Sequence, residues 1–225
     1  MIRTERLTKI YNTGEASEVI AVRDISLEIS SGDFLVITGT SGSGKTTLLS
    51  LLGLLTRPTR GKIFLDDQEV SSYSDAWQTR MRKEIMGIVF QQHNLLSQFS
   101  VWENVSLPLL CRDVGFSERK RIAFRILREL GLASRSDFKL AQLSVGEQQR
   151  VAIARALVTN PEIVIADEPT ASVDTETTAH ILEIFRSLKR SNKTVIVVSH
   201  DPALVEEGNI TVKLRNGLMA ENHRM

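Results

Sequence analysis

Apolar and polar positions change their period several times along the chain. Residues Ile2 to Tyr11 alternate weakly, a polar stretch NTGEASE follows, and VIAVRDISLEI then alternates like a strand, which predicts an antiparallel β region. Phe34-Leu35-Val36-Ile37-Thr38 is a compact apolar run ending at a glycine-rich loop. TTLLSLLGLL behind it has helical length, so strand, loop and helix follow one another directly. Gly61 to Leu65, followed by Asp66-Asp67-Gln68-Glu69, predicts a further hairpin.

From Asp75 to about Arg150 the pattern turns helical and charged. In SERKRIAFRILREL, Ile122, Ile126, Leu127 and Leu130 recur at helix spacing, which predicts a mainly helical lobe. Ile163 to Ala166 and Thr194 to Val198 read as strands separated by a helix from roughly Thr178 to Lys189, the punctuation of a parallel sheet. NITVKL, Asn216-Gly217 and LMAE predict a hairpin closed by a type I′ turn.

Composition narrows the picture. The 225 residues suit one domain, or one domain with a substantial inserted lobe, and can bury a proper core without disulfides. Cys111 is the only cysteine, so no internal bridge can form, and its expected role is packing. With 28 Lys and Arg against 27 Asp and Glu, there is no general electrostatic pull toward nucleic acid, and none is expected as a partner. No apolar run approaches the roughly 18 to 20 residues that span a bilayer, so any membrane association would have to run through another chain.

The chemistry begins at Gly39-Thr40-Ser41-Gly42-Ser43-Gly44-Lys45-Thr46, followed by Thr47, which fits G-x-x-x-x-G-K-[ST] between a predicted strand and a predicted helix. Glycines let the backbone wrap a polyphosphate. Successive N–H groups and the helix N-terminus then face the anion, Lys45 reaches the β and γ phosphates, and Thr46 carries Mg²⁺. A second Mg²⁺ ligand is expected at the end of a neighbouring strand, where Ile163-Val164-Ile165-Ala166-Asp167-Glu168 supplies Asp167 for the metal and Glu168 for the attacking water. His200 ends the next predicted strand and falls near the same sheet edge, in reach of a γ-phosphate.

Leu143 to Leu157, LSVGEQQRVAIARAL, contains a capping box: Ser144 would accept from the third helical N–H, and Glu147 would reach back to the cap. That pairing needs no ligand. A helix start bearing an exposed serine and a glycine equally suits a phosphate, because its N–H groups and dipole end are positive.

Together these residues resemble the ATP-binding cassette family over nearly the whole chain. Tyr11 stands where the family stacks an aromatic ring on adenine, Gly39 to Thr46 resembles Walker A, and Gln91 in VFQQHNLL resembles the Q-loop glutamine, which senses metal and water. Leu143 to Gln148 resembles the LSGGQ signature, Asp167 and Glu168 the end of Walker B, Ser172-Val173-Asp174 the D-loop, and His200 the switch histidine. The resemblance implies an α/β fold: a RecA-like P-loop core with an antiparallel β subdomain (1–91 and 151–225) and an inserted helical subdomain (92–150). It also implies ATP and Mg²⁺ as cofactors and a head-to-tail dimer, expected to be a homodimer. In that dimer Ser144 and Gly146 of one subunit complete the γ-phosphate site of the other.

Val145 departs from the pattern where the family usually carries glycine. A first-turn residue has ordinary helical geometry, which valine tolerates at a cost of up to about 0.7 kcal/mol, so an intact site is expected. Glu147 stands where the signature has glutamine, a variant the family also uses.

Within the family the chain is most similar to the ATPases of MacB-type and lipoprotein-releasing (LolD-type) systems. The insert Asn12 to Glu18, the segment NLLSQFSVWENVSLPLL and the short stretch after Gly217 carry that similarity. It implies an integral membrane permease as partner and a peripheral location on the cytoplasmic face of the inner membrane. Gln91 to about Leu110 would press on that partner, with Pro108 ending any helix there. A soluble cassette acting on DNA or ribosomes is the alternative, and near-neutral charge and a single cassette speak against it. A regulatory GTPase would want an Asn/Thr-Lys-x-Asp motif, which the sequence lacks.

Overall fold

The computed structural model describes residues 1–224. Its strands form two sheets. β1 (Ile2–Tyr11), β2 (Val19–Ile29), β4 (Arg60–Leu65) and β5 (Gln68–Glu69) make an antiparallel sheet in the order β2-β1-β4-β5. β3 (Phe34–Gly39), β6 (Met86–Val89), β7 (Ile163–Asp167), β8 (Thr194–Val198), β9 (Ile210–Arg215) and β10 (Leu218–Arg224) make the second, in the order β10-β9-β3-β8-β7-β6. Every pairing in the second sheet is parallel except the terminal hairpin β9–β10. In that hairpin Asn216 and Gly217 take φ of 50° and 77°, the two left-handed residues that a type I′ turn requires.

The parallel strands are apolar without interruption because they are covered on both faces, and their two-residue period sorts the side chains into separate cores. Leu35 and Ile37 of β3, Ile163 and Ile165 of β7, and Ile196 and Val198 of β8 join the core shared with the antiparallel sheet and with α1 (Lys45–Leu52). Phe34 and Val36, Val164 and Ala166, and Val195 and Val197 face the opposite way. There they meet Ile153 of α5 (Val145–Leu157) and Ile181, Leu182 and Phe185 of α6 (Thr175–Arg190), with Phe34 and Phe185 rings 6.2 Å apart. The short helix α7 (Pro202–Glu207), capped by Asp201 with Pro202 in its first turn, adds Leu204 to this face.

A third core belongs to the helices. Val101, Val105 and Leu109 of α3 (Val101–Leu110) pack with Ala123 and Leu127 of α4 (Phe116–Glu129) and with Val151, Ala154 and Val158 at α5. α5 therefore serves two cores at once, and a division at Arg150 falls inside it.

Three expectations change, and one gains a detail. The stretch from Asp75 is mainly helical as expected, but it is interrupted: α2 (Asp75–Ile85) gives way to β6, whose four residues pair with β7 at the sheet edge. Four residues are too few for periodicity to separate from the helix before them. α6 begins at Thr175 instead of Thr178, because Asp174 accepts from the Thr177 N–H and caps a β-branched first turn. Pro108 does not end its helix, since α3 continues to Leu110. In the last turn a proline removes a single intrahelical bond, and buried Leu109 holds the turn down. Cys111 is exposed just past α3 and belongs to none of the three buried cores.

Asn104 of α3 is fully buried and anchors the preceding loop. Its Nδ2 donates to the carbonyls of Leu96 and Ser100, both at 3.0 Å, and its Oδ1 accepts from the Leu96 N–H at 2.8 Å. Asn104→Leu would strand those buried groups, and we expect a loss of about 2–3 kcal/mol in denaturant unfolding, the order set by unsatisfied backbone polar groups.

Candidate active site

The phosphate-type loop is shaped by backbone from two neighbouring strands. Gly44 caps α1 at φ 98°, where a Cβ would sit 2.1 Å from the Ala21 carbonyl oxygen of β2. Gly39 has φ 138°, and a Cβ there would sit 2.3 Å from the Leu214 carbonyl oxygen of β9. Only glycine satisfies both the torsion and the space at these positions. The Gly217 N–H adds a hydrogen bond to the Ser43 carbonyl at 3.1 Å, so the terminal hairpin braces the loop.

Inside the loop one polar side chain is satisfied by the loop's own carbonyls and another is left without a partner. Lys45, 9 % exposed, donates from Nζ to the carbonyls of Gly39 at 2.7 Å and Thr40 at 3.0 Å. The buried Ser43 Oγ has no hydrogen-bond partner. α1 starts with no acidic residue in its first turn and no side-chain cap, which leaves its positive end free for an anion.

β7 delivers the acids, because its register against β8 sets Asp167 opposite Val198. Asp167 is buried, and one of its oxygens, Oδ1, has no partner. Burial pushes its carboxyl above the usual range, although the Thr46 hydroxyl and the Lys45 ammonium pull the other way. Glu168 has φ 48°, an uncommon value for a side chain of its size, held by its N–H donating to the Val198 carbonyl at 2.9 Å. Glu168 Oε1 lies 3.4 Å from His200 Nε2.

These groups share a cleft of about 470 Å³. Ser41, Gly42, Gly44, Lys45, Thr46, Thr47, Gln91, Asp167, Glu168 and His200 line it, as the sequence patterns anticipate. Val19, Ile20, Ala21 and Asn216 also line it and were not anticipated. The Asn-Gly turn was legible as a turn; that it lies against the loop follows from β9 pairing with β3, which no local pattern encodes.

Seven predicted residues are not part of the cleft lining: Gly39, Thr40 and Ser43 of the loop itself, and Tyr11, Ser144, Gly146 and Asp174. Tyr11 is 41 % exposed at the end of β1, paired across to Val19 at the rim, with Lys9 Nζ 5.1 Å from its ring centre. Ser144 and Gly146 belong to the start of α5, and Asp174 caps α6.

At α5 the capping box is complete. The Glu147 N–H donates to Ser144 Oγ at 3.2 Å, and Glu147 Oε2 accepts from the Ser144 N–H at 2.8 Å. Burial raises the Glu147 carboxyl, but the Ser144 N–H and the Arg135 guanidinium outweigh it and hold the group below the usual range. Ser144 Oγ accepts within the chain yet keeps its own proton to donate, so cap and phosphate contact are compatible. Val145 is 52 % exposed and points away from the core, whereas a Cβ on Gly146 would sit 2.5 Å from Thr177 Oγ1. The two glycine positions of the signature thus differ: the chain itself demands glycine at 146 and tolerates valine at 145.

Residues 22–171 match the model of the ABC transporter family. An uncharacterised ABC transporter ATP-binding protein of Thermotoga maritima is 46 % identical over 93 % of this chain and 89 % of its own length. The uncharacterised ABC transporter ATP-binding protein YvrO of Bacillus subtilis is 39 % identical over the whole chain and 97 % of its own length. The macrolide export ATP-binding/permease protein MacB of Bdellovibrio bacteriovorus is 41 % identical over the whole chain, which spans only 34 % of that longer protein. Among solved structures, the ATP-binding cassette MJ0796, seen as a dimer in a post-hydrolysis state bound to ADP and Pi, superposes with a TM-score of 0.93 at 37 % identity, over all of this chain and 98 % of that one. Family match, full-length relatives and superposition agree with the cleft geometry, and this chain belongs to the ABC transporter family as an ATP-binding and ATP-hydrolysing cassette coupled to transport.

Proposed function

We propose that the chain powers a MacB-type or lipoprotein-releasing (LolD-type) membrane permease by ATP-driven closure of a head-to-tail homodimer. The observation that carries this reading is a division of labour within one chain. The phosphate loop, Asp167 and Glu168 form one half-site, and the exposed start of α5 at Ser144 and Val145 forms a second surface outside that cleft. Each half lacks what the other supplies, and a two-fold pair of chains brings them together. The dimer of MJ0796 and the similarity to MacB proteins support it.

In this reading Tyr11 stacks on adenine, and the backbone from Gly39 to Thr47 wraps the phosphates while Lys45 leaves its loop carbonyls for the β and γ oxygens. The unpartnered Asp167 Oδ1 beside Thr46 suits a divalent cation. Thr46, Asp167 and Gln91 would hold Mg²⁺, which when bound neutralises charge building on the transferred phosphate. Glu168 accepts a proton from the attacking water, and His200, 3.4 Å from it, steadies the γ-phosphate. Ser144 and Gly146 of the partner donate from the other side, and Asp174 lies at the dimer seam.

The permease would seat in the groove of about 320 Å³ between β6 and α3, lined by Met86, Ile88, Phe90, Pro108 and Cys111. Gln91 stands at the mouth of the loop that joins this groove to the cleft, so docking and nucleotide state share one segment. No helix among the described residues is long and apolar enough to cross a membrane, and the peripheral, cytoplasmic-face location belongs to this same proposal.

Tagged Glu168→Gln chain, recovered from gently solubilised membranes with ATP and Mg²⁺, should carry a stoichiometric membrane protein with few spanning helices and a large external domain. Recovery without any membrane protein would sink the transport assignment. The same variant should bind ATP, hydrolyse it at least about 100-fold more slowly, as loss of a general base implies, and elute as a dimer in size-exclusion chromatography.

Asp167 gives a pH-dependent expectation. Its folded pKa is raised, so the folded chain holds a proton that the unfolded chain releases; the stability cost is absent below about pH 4 and full above the folded value. Asp167→Asn should therefore raise the melting temperature of the nucleotide-free chain at pH 7.5, by a margin that shrinks as pH falls toward 4. It should also abolish the Mg²⁺-dependent part of stabilisation by ATP. Val145→Gly should change steady-state ATPase by less than about tenfold, since an exposed first-turn side chain contributes only tenths of a kcal/mol to the helix; a rise of several hundredfold would mean that the native site is impaired.

A further inference from the structure

Gln149 lies one turn inside α5 and is 2 % exposed. Its Nε2 donates a 2.7 Å hydrogen bond to the carbonyl of Pro169, the residue that follows Glu168. A buried carboxamide is stable only when it is bonded, so this contact fixes the distance between α5 and the turn after β7. Glu168 is thus clamped from both directions along the backbone: its own N–H is bonded to Val198, and the carbonyl one residue on is bonded to Gln149. The left-handed torsion at Glu168 sits in a narrow well, so together with those two bonds it fixes the direction in which the Cα–Cβ bond leaves the backbone.

The other end of the same helical segment faces outward. Ser144 and Val145 are exposed at its first turn, and Gly146 is packed so closely on Thr177 of α6 that no Cβ fits between them. Thr177 in turn donates from Oγ1 to Asp174 at 3.0 Å and from its N–H to the same carboxylate at 2.8 Å. The first turns of α5 are therefore joined to the Glu168 turn and to the start of α6 without a flexible element between them.

We propose that Gln149 is a positioning residue that makes the orientation of Glu168 in one subunit depend on nucleotide at the start of its own α5, that is, in the partner's site. The proposal rests on the reading that Ser144 and Gly146 contact the partner's ATP. When that γ-phosphate draws the helix start toward it, Gln149 carries the displacement to the Pro169 carbonyl and seats the base; without it, Glu168 stays in its pairing with His200. A shift well below 1 Å suffices, because proton abstraction from water depends steeply on alignment.

Gln149→Met keeps length and apolar fit but removes the donor, and Gln149→Asn keeps the amide but is one methylene too short to reach. Steady-state ATPase, nucleotide affinity and melting temperature would be measured on both. For either variant that folds, kcat should fall by about tenfold, in line with a small misplacement of a catalytic group. KM for ATP should stay within about twofold and the Hill coefficient should drop from well above one toward one. ATP-driven dimerisation in a Glu168→Gln background should persist at the same ATP concentration. Wild-type turnover and cooperativity in both variants would overturn the proposal, as would a joint fall of kcat, affinity and melting temperature with the Hill coefficient unchanged. A wild-type chain that neither hydrolyses ATP nor dimerises would instead overturn the underlying dimer reading.

Discussion

The parallel pairing of β8 with β3 on one side and β7 on the other places three strand ends side by side, and the remaining parts of the site are arranged around that edge. β3 ends at Gly39 and turns into the phosphate loop, β7 ends at the two acids, and β8 runs out to His200. Hydrogen bonds knit the edge together: Glu168 donates to the Val198 carbonyl, and the Ser199 N–H donates to the Ile37 carbonyl at 3.2 Å. Parallel strands can be buried on both faces, and here their alternating side chains feed two cores, so this edge is fixed from above and below before any ligand binds.

That rigidity contrasts with the polar groups left over at the edge. Lys45 is folded onto its own loop, Ser43 Oγ and Asp167 Oδ1 are buried without partners, and Asp167 is held above its ordinary pKa by burial. The two unpartnered buried oxygens and the burial of the Asp167 carboxylate each cost stability, whereas Lys45 is satisfied by its loop carbonyls. The energetic logic resembles that of preorganised sites in general, where the fold holds unsatisfied donors and acceptors in position so that the ligand need not arrange them.

α5 links this cleft to the rest of the chain. Its outer face completes the helical core through Val151 and Ala154, its inner face joins the second core through Ile153, its first turn is a finished cap, and Gln149 binds the turn that carries Glu168. One helix thus connects the outward surface, the inserted lobe and the acid pair. Val145 fits this arrangement because nothing in the chain presses on it, while the glycine beside it is fixed by Thr177.

The sequence by itself determined the elements whose signal is local. Strand, glycine loop, lysine and helix around Lys45, the Asp167-Glu168 pair at a strand end, the Ser144 capping box and the Asn216-Gly217 turn all follow from residue types at fixed spacing, because backbone torsion and hydrogen bonding within a few residues dictate them. The tertiary structure alone decided what depends on chain segments far apart. β6 became a strand by pairing with β7, and Pro108 was accommodated by burial of Leu109. It also brought Ala21, Leu214 and Asn216 to the phosphate loop and Gln149 to Pro169. These contacts arise from packing and sheet order, which the periodicity of a single segment does not specify.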